Sequence, residues 1–267
     1  MVDYISRYGL EYNPFIKNSK EYLVETNEYN EVMFRLNYLL NNKGFGVLTG
    51  SPGNGKTTII RNWAKSLNPS LYKVVYVALS TLTTHEFYKN LAVEMELEPA
   101  SNKSTNFKNI QSEINRYYLD KRITPVIIID EANCINNAVL NDMKILFNFD
   151  MDSKDRAIVL LVGQTGLINI LNLSVNEPIR QRVIMNYNLD SLTKEEALHY
   201  IKAKIQGAKA TTDIFDANAL VAIVNAANGT PRVINKICNN CLIIANSKEK
   251  NIVDSDIAMM AVNESTL

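Results

Sequence analysis

Gly50-Ser51-Pro52-Gly53-Asn54-Gly55-Lys56-Thr57 fills every fixed position of GxxxxGK[ST], the pattern of a phosphate-binding loop. Its flanks decide the fold. Gly44 to Thr49 reads as a short buried strand running in, and from Thr57 to Leu67 the residues Ile59, Ile60, Trp63, Ala64 and Leu67 share one helical face running out. Strand, glycine loop and helix form the unit in which backbone N–H groups turn inward around phosphate oxygens, aided by the helix N-terminus. Gly50 to Thr58 therefore line a candidate nucleotide site. Lys56 is placed to reach the β and γ phosphates, and the Thr57 hydroxyl suits Mg²⁺, which takes few protein oxygens and completes its octahedron with phosphate and water.

Composition bounds the rest. A chain of 267 residues, 46% of them apolar, can bury a substantial core. Lys plus Arg and Asp plus Glu are both 28, so any contact with nucleic acid must come from a local patch rather than a global field. Three cysteines and no signal-peptide pattern at the start point to a reducing cytoplasm. No apolar run approaches the roughly 18 residues of a membrane span, so no membrane partner is expected.

Further strands follow the loop. Lys73 to Leu79 is a β-branched run, and Thr84 to Glu96 is an amphipathic helix through Phe87, Leu91 and Met95. Ala100 to Asn109 is a polar stretch leading into a helix that ends at Tyr117-Tyr118-Leu119. Between residues 101 and 122 five cations (Lys103, Lys108, Arg116, Lys121, Arg122) stand against two carboxylates (Glu113, Asp120), a candidate phosphate-contacting patch. Pro125-Val126-Ile127-Ile128-Ile129-Asp130-Glu131 is a central parallel strand with two carboxylates at its C-terminal end, where open α/β sheets bind ligands. Asp130 suits a water-mediated Mg²⁺ partner, and Glu131 suits the base acting on the attacking water.

Ala157 to Val162 gives another buried strand, ending at Gly163-Gln164. Gln164 lies beside Asp130 if the two strands are neighbours. Arg180 and Arg182 precede a short strand from Val183 to Leu189, badly placed for their own phosphate pocket but able to reach a neighbour's. From Asp190 the pattern is helical: Thr193 with Glu196 forms a capping box, Asp213 or Asp216 caps a helix stopping at Asn228-Gly229, and Thr230-Pro231 starts another with Arg232 in its first turn. Asp254 opens the last one. Cys238-Asn239-Asn240-Cys241 has CxxC spacing but sits in mid-helix among apolar residues, which favours buried thiols over zinc. His85 and His199 have no partner for catalysis or metal binding in the sequence.

Taken in this order, the phosphate loop, Asp130-Glu131, Gln164, the Arg180/Arg182 pair and Gly229-Thr230-Pro231-Arg232 resemble an AAA+ ATPase. The features correspond to that family's Walker A, Walker B, sensor 1, arginine finger and sensor 2. The nearer resemblance is to the ExeA/GspA-like branch and its transposition-helper relatives of the TniB, TnsC and MuB kind. It is carried by Tyr8-Gly9-Leu10 with Asn13-Pro14-Phe15, Leu161-Val162-Gly163-Gln164 and Ile179-Arg180-Gln181-Arg182.

The resemblance implies an α/β core over 44–189 with a central parallel β-sheet flanked by helices, a small all-α lid over 190–267, and an N-terminal arm and helix over 1–43 that close the nucleotide site. It implies ATP and Mg²⁺ as cofactors, Pro14 and Phe15 near the adenine, Gln164 and Arg232 sensing the γ phosphate, and Arg182, or else Arg180, completing a neighbour's site. The implied role is a cytoplasmic homo-oligomer, a ring or helical filament. It assembles on double-stranded DNA through Lys103, Lys108, Thr81, Thr83 and Thr84, and serves a transposase and a target-selection protein. An envelope-assembly ATPase, a helicase loader and a non-hydrolysing nucleotide switch are the alternatives.

Overall fold

The computed structural model describes residues 4–20, 22–78, 83–210 and 212–265. Five strands, β1 (Gly44–Gly50), β2 (Tyr72–Ala78), β3 (Thr124–Asp130), β4 (Ile158–Val162) and β5 (Val183–Leu189), form a parallel sheet in the order β2-β3-β4-β1-β5. Position in the sheet explains their composition. β1, β3 and β4 are inner strands buried along their whole length, hence the unbroken apolar runs. The edge strands β2 and β5 bury only some of their residues, and Lys73, Asn186 and Asn188 are among those left out.

Residues 31–52 and 56–189 make one compact unit around this sheet. Its helices are most of α2 (Asn27–Asn42), then α3 (Lys56–Ser66), α4 (Thr84–Glu94), α5 (Lys103–Asn115), α6 (Asn137–Leu146), α7 (Gly166–Leu171) and the short α8 (Glu177–Arg180), with α1 (Tyr4–Arg7) lying outside it. The polar run from Ala100 proves to be folded rather than loose. Asn102 caps α5 by accepting the Thr105 N–H at 2.8 Å, and buried Asn106 bonds both the N–H and the carbonyl of Ala100. These polar side chains satisfy orphan backbone groups at a helix start, which is why the stretch looks like a loop in sequence. α6 begins in the same way, with Asn136 accepting the Val139 N–H at 2.9 Å.

The second unit joins both ends of the chain: the described residues up to 30, residues 53–55, and those from 190 onward. Its C-terminal helices are α9 (Lys194–Gly207), α10 (Ala217–Ala227), α11 (Pro231–Ser247) and α12 (Ser255–Ser265). The Thr193/Glu196 capping box is formed, and Asp216, not Asp213, caps α10. Gly229 is required by crowding as well as by conformation: its φ is +70°, and a Cβ there would run into the Leu192 carbonyl.

The N-terminal arm is built into this helical core. Tyr8, Leu10 and Phe15 are buried among residues of α9 to α12, the Tyr8 hydroxyl donates to the Lys250 carbonyl at 3.0 Å, and the Asn13 amide donates to Asn239 Oδ1 at 2.8 Å. Arm and C-terminal helices thus share a single hydrophobic core.

Candidate nucleotide site

The strand order makes β3 and β4 neighbours, so Asp130 and Gln164 emerge at the same edge of the sheet. There α3, which begins at Lys56 of the glycine loop, meets Asp130: the Thr57 hydroxyl donates to Asp130 Oδ2 at 3.0 Å. Residues 73 positions apart in the chain are brought into contact. Asp130 is 5% exposed and its other oxygen, Oδ1, accepts the Glu131 N–H at 2.9 Å. A hydroxyl and a carboxylate held together at the mouth of a phosphate loop are hard oxygen donors of the kind Mg²⁺ accepts, and few in number as that ion prefers. The described residues contain no group of three or more His, Cys, Asp or Glu that would suggest another metal centre.

Glu131 sits at φ 54°, ψ 35°, in the left-handed region. A glutamate there costs roughly 1–2 kcal/mol, and such strain concentrates at functional positions. Its consequence here is that the chain turns sharply after Asp130 and leaves Glu131 exposed. The ammonium of Lys56 donates back to the loop carbonyls of Gly50 (2.8 Å) and Ser51 (3.0 Å), so it arches across the loop it serves. Pro52 is exposed, and the Thr58 carbonyl accepts the Asn62 amide inside α3.

Gln164 is exposed, and its N–H donates to Asn133 Oδ1 at 3.0 Å, so Asn133 fixes the turn that presents it. Tyr76 was not foreseen: it lies in β2, and its hydroxyl donates to Asp130 Oδ2 at 2.8 Å. Burial, and then the hydrogen bond to Asp130, push this phenol well above its usual range, so it stays a donor. In the sequence Tyr76 reads as an ordinary strand former. Only the register, which sets Ala78 against Asp130 and Tyr76 against Ile128, shows that its side chain shares a face with Asp130.

The two arginines differ sharply. Arg182 donates to the carbonyls of Lys144 (3.0 Å) and Phe147 (3.2 Å), lies 3.9 Å from Asp155 and stacks over Phe45. Arg180 is exposed and donates to the Asn172 carbonyl at 3.3 Å. The Arg182 guanidinium is thus held inside its own chain, whereas that of Arg180 lies at the surface.

In the helical unit, the Gly53 carbonyl accepts the Arg232 N–H at 3.3 Å, and at Gly53, whose φ is +90°, a Cβ would crowd the Thr230 and Arg232 side chains at 3.0 Å. Asn54 accepts a bond from the Ser191 hydroxyl at 3.4 Å, Gly55 adopts φ +100°, and the Arg232 side chain is exposed. Pro14 and Phe15 are both buried: the Pro14 carbonyl accepts the Lys204 ammonium at 2.9 Å, and Phe15 meets Phe215 edge-on at 6.4 Å. Their contacts are those of core residues.

The residues offered for DNA are scattered in role. Thr81 lies outside the described residues. Thr83 is the N-cap of α4 and forms a capping box with Glu86, while Thr84 is half-buried in the first turn. Lys108 is exposed, but the ammonium of Lys103 pairs with Asp142, and Arg116 pairs with Glu113. The local excess of positive charge shrinks because Asp142, remote in sequence, enters it.

The AAA domain family matches residues 39–171, which include the phosphate loop, Asp130 and Gln164. Along almost the whole chain, 264 residues and 97% of it, the sequence is 30% identical to general secretion pathway protein A of Aeromonas hydrophila. The chain spans about half of that relative, 48%. Among solved structures, the ORC2 protein of Aeropyrum pernix superposes with a TM-score of 0.72 at 15% identity, covering 95% of this chain and 71% of that one. Drosophila ORC bound to DNA gives a TM-score of 0.72 at 15% identity, with 95% and 64% covered. No helix of the described residues is long and apolar enough to cross a membrane. Sheet order, loop, carboxylate edge and the AAA domain match agree on a P-loop fold of the AAA+ kind, in a chain similar along nearly all its length to general secretion pathway protein A.

Proposed function

We propose that this protein binds and hydrolyses ATP, and that its turnover depends on self-assembly. The contact between Thr57 and Asp130 at the end of the phosphate loop carries this reading, with Glu131 turned outward beside it. Lys56 holds the β and γ phosphates, Thr57 and Asp130 hold Mg²⁺, Glu131 takes a proton from the attacking water, and Gln164 orients it. Mg²⁺ supplies charge neutralisation to the phosphates. Arg232 reports on the γ phosphate. Arg180, exposed on its own chain, completes the site of an adjacent copy.

The output we assign is an ATP-held ring or filament on duplex DNA that marks a target for a transposase. The AAA+ fold, shared with an ORC protein bound to DNA, supports it, and exposed Lys108 is a contact available to it. A second reading is an assembly ATPase of an envelope complex, favoured by the 30% identity to a secretion-pathway protein.

Turnover measured against protein concentration, with and without duplex DNA, separates the two. Specific turnover that rises with concentration and again with DNA, together with Glu131→Gln assemblies on DNA in electron micrographs, is the result expected. Turnover that rises with concentration but ignores DNA transfers the output to the envelope reading. Nucleotide binding that survives Lys56→Ala would sink the site assignment itself.

A further inference from the structure

Asp130 is held more tightly than a metal partner at the end of a strand needs to be. Its Oδ2 accepts two hydroxyls, from Thr57 at 3.0 Å and from Tyr76 at 2.8 Å, and its Oδ1 accepts the Glu131 N–H at 2.9 Å. A carboxylate offers about four lone-pair positions, so three protein donors leave about one for anything else. The donors come from three separate places: the first turn of α3, the edge strand β2 and the backbone just after β3. Together they fix both the rotation of the carboxylate and the side from which a further donor approaches.

Tyr76 is the surprising member. The residue is 42% exposed and stands on an edge strand, so burial of its ring is not what it chiefly supplies. The hydroxyl is what reaches the site. Phe at this position would keep nearly all the packing and lose the contact.

We propose that Tyr76 is a positioning residue for Mg²⁺: its hydroxyl orients the Asp130 carboxylate so that the remaining lone pair faces the water shell of the ion. This rests on the nucleotide reading above and adds a residue to it. The physical reason is the stringency of the ion. Mg²⁺ tolerates little departure from octahedral geometry, so a carboxylate that acts through a bound water must present its oxygen at a fixed angle. Groups that only orient a ligand commonly change metal affinity by roughly 10–100-fold when removed. Thr57 and Tyr76 share one oxygen from two directions while the Glu131 N–H holds the other, so loss of the Tyr76 hydroxyl removes one of three constraints on the carboxylate.

The test is the Mg²⁺ dependence of nucleotide binding by the full chain, read from the fluorescence of an ATP analogue rather than from turnover. For Tyr76→Phe the Mg²⁺ concentration at half-maximal binding should rise about 10-fold. Binding in EDTA and the thermal midpoint should stay those of the wild type. A role in folding would instead weaken binding equally with and without Mg²⁺, and that outcome overturns the proposal, as does an unchanged Mg²⁺ midpoint. Tyr76→Ala serves as a second variant: if the hydroxyl is responsible, it shifts the Mg²⁺ midpoint no further than Tyr76→Phe. A larger shift assigns the effect to the ring and overturns the proposal. Should the wild type itself bind nucleotide with no response to Mg²⁺, the metal reading fails and Tyr76 falls with it, whereas a responsive wild type and an indifferent Tyr76→Phe remove Tyr76 alone.

Discussion

The edge of the sheet and the N-terminal arm both carry motif-like residues, and the structure treats them in opposite ways. At the sheet edge, Asp130 ends a fully buried strand, and Glu131 and Gln164 come out just beyond such strands into a place where side chains can act. In the arm, Asn13-Pro14-Phe15 looks equally distinctive, yet all three residues are buried, Asn13 and Pro14 bonded to the C-terminal helices and Phe15 packed edge-on against Phe215. A short motif therefore signals chemistry where the backbone ahead of it is already satisfied and covered. Where it must itself close a core between distant parts of the chain, packing takes its side chains.

The two arginines give the strongest test of that distinction, since they are two residues apart and fall on opposite sides of it. Arg180→Ala should lower the turnover of concentrated protein by about 10³-fold, as loss of a trans arginine does in related phosphate chemistry, and leave the thermal midpoint unchanged. Arg182→Ala should do the reverse. It removes charge-assisted bonds to two carbonyls and should cost about 1.5–3 kcal/mol of stability in denaturant melts. If Arg182→Ala were the variant that loses turnover while staying stable, exposure would be a poor guide to the finger.

Phe15→Ala probes the arm. Removing a buried ring should destabilise the helical unit by about 3–5 kcal/mol. A normal melting curve with weakened nucleotide affinity would return Phe15 to the nucleotide and break the comparison. The smallest effect concerns the cysteines. Cys238 and Cys241 are buried in α11, and burial raises the first thiol strongly and pushes the second to about 12, whereas Cys134 is exposed. A thiol reagent near neutral pH should label one of the three in the native protein and all of them after unfolding. Rapid labelling of two would mean that the helical core opens readily.

Much of the αβ unit was legible because its signals are local. An inner parallel strand has to be apolar on both faces, so Val126 to Ile129 and Ile158 to Val162 announce themselves, and a glycine loop needs its fixed residues in immediate succession. Capping boxes, too, are written within four residues, as Thr193 and Glu196 show. The start of α5 was hidden because capping and loop chemistry use the same residue types, Asn above all. The charged patch around Lys103 was overcounted because Asp142, its counterion, arrives from another helix.

By itself, then, the sequence determined the phosphate loop, the inner strands and the carboxylate edge, all of which depend on neighbours in the chain. Only the tertiary structure decided that Tyr76 touches Asp130, that Arg182 is held at home while Arg180 is exposed, and that the arm belongs to the C-terminal helices. The physical reason is one of range. Backbone hydrogen bonding and side-chain periodicity act over a few residues, whereas register, counterion pairing and burial are settled between segments that meet only once the chain has folded.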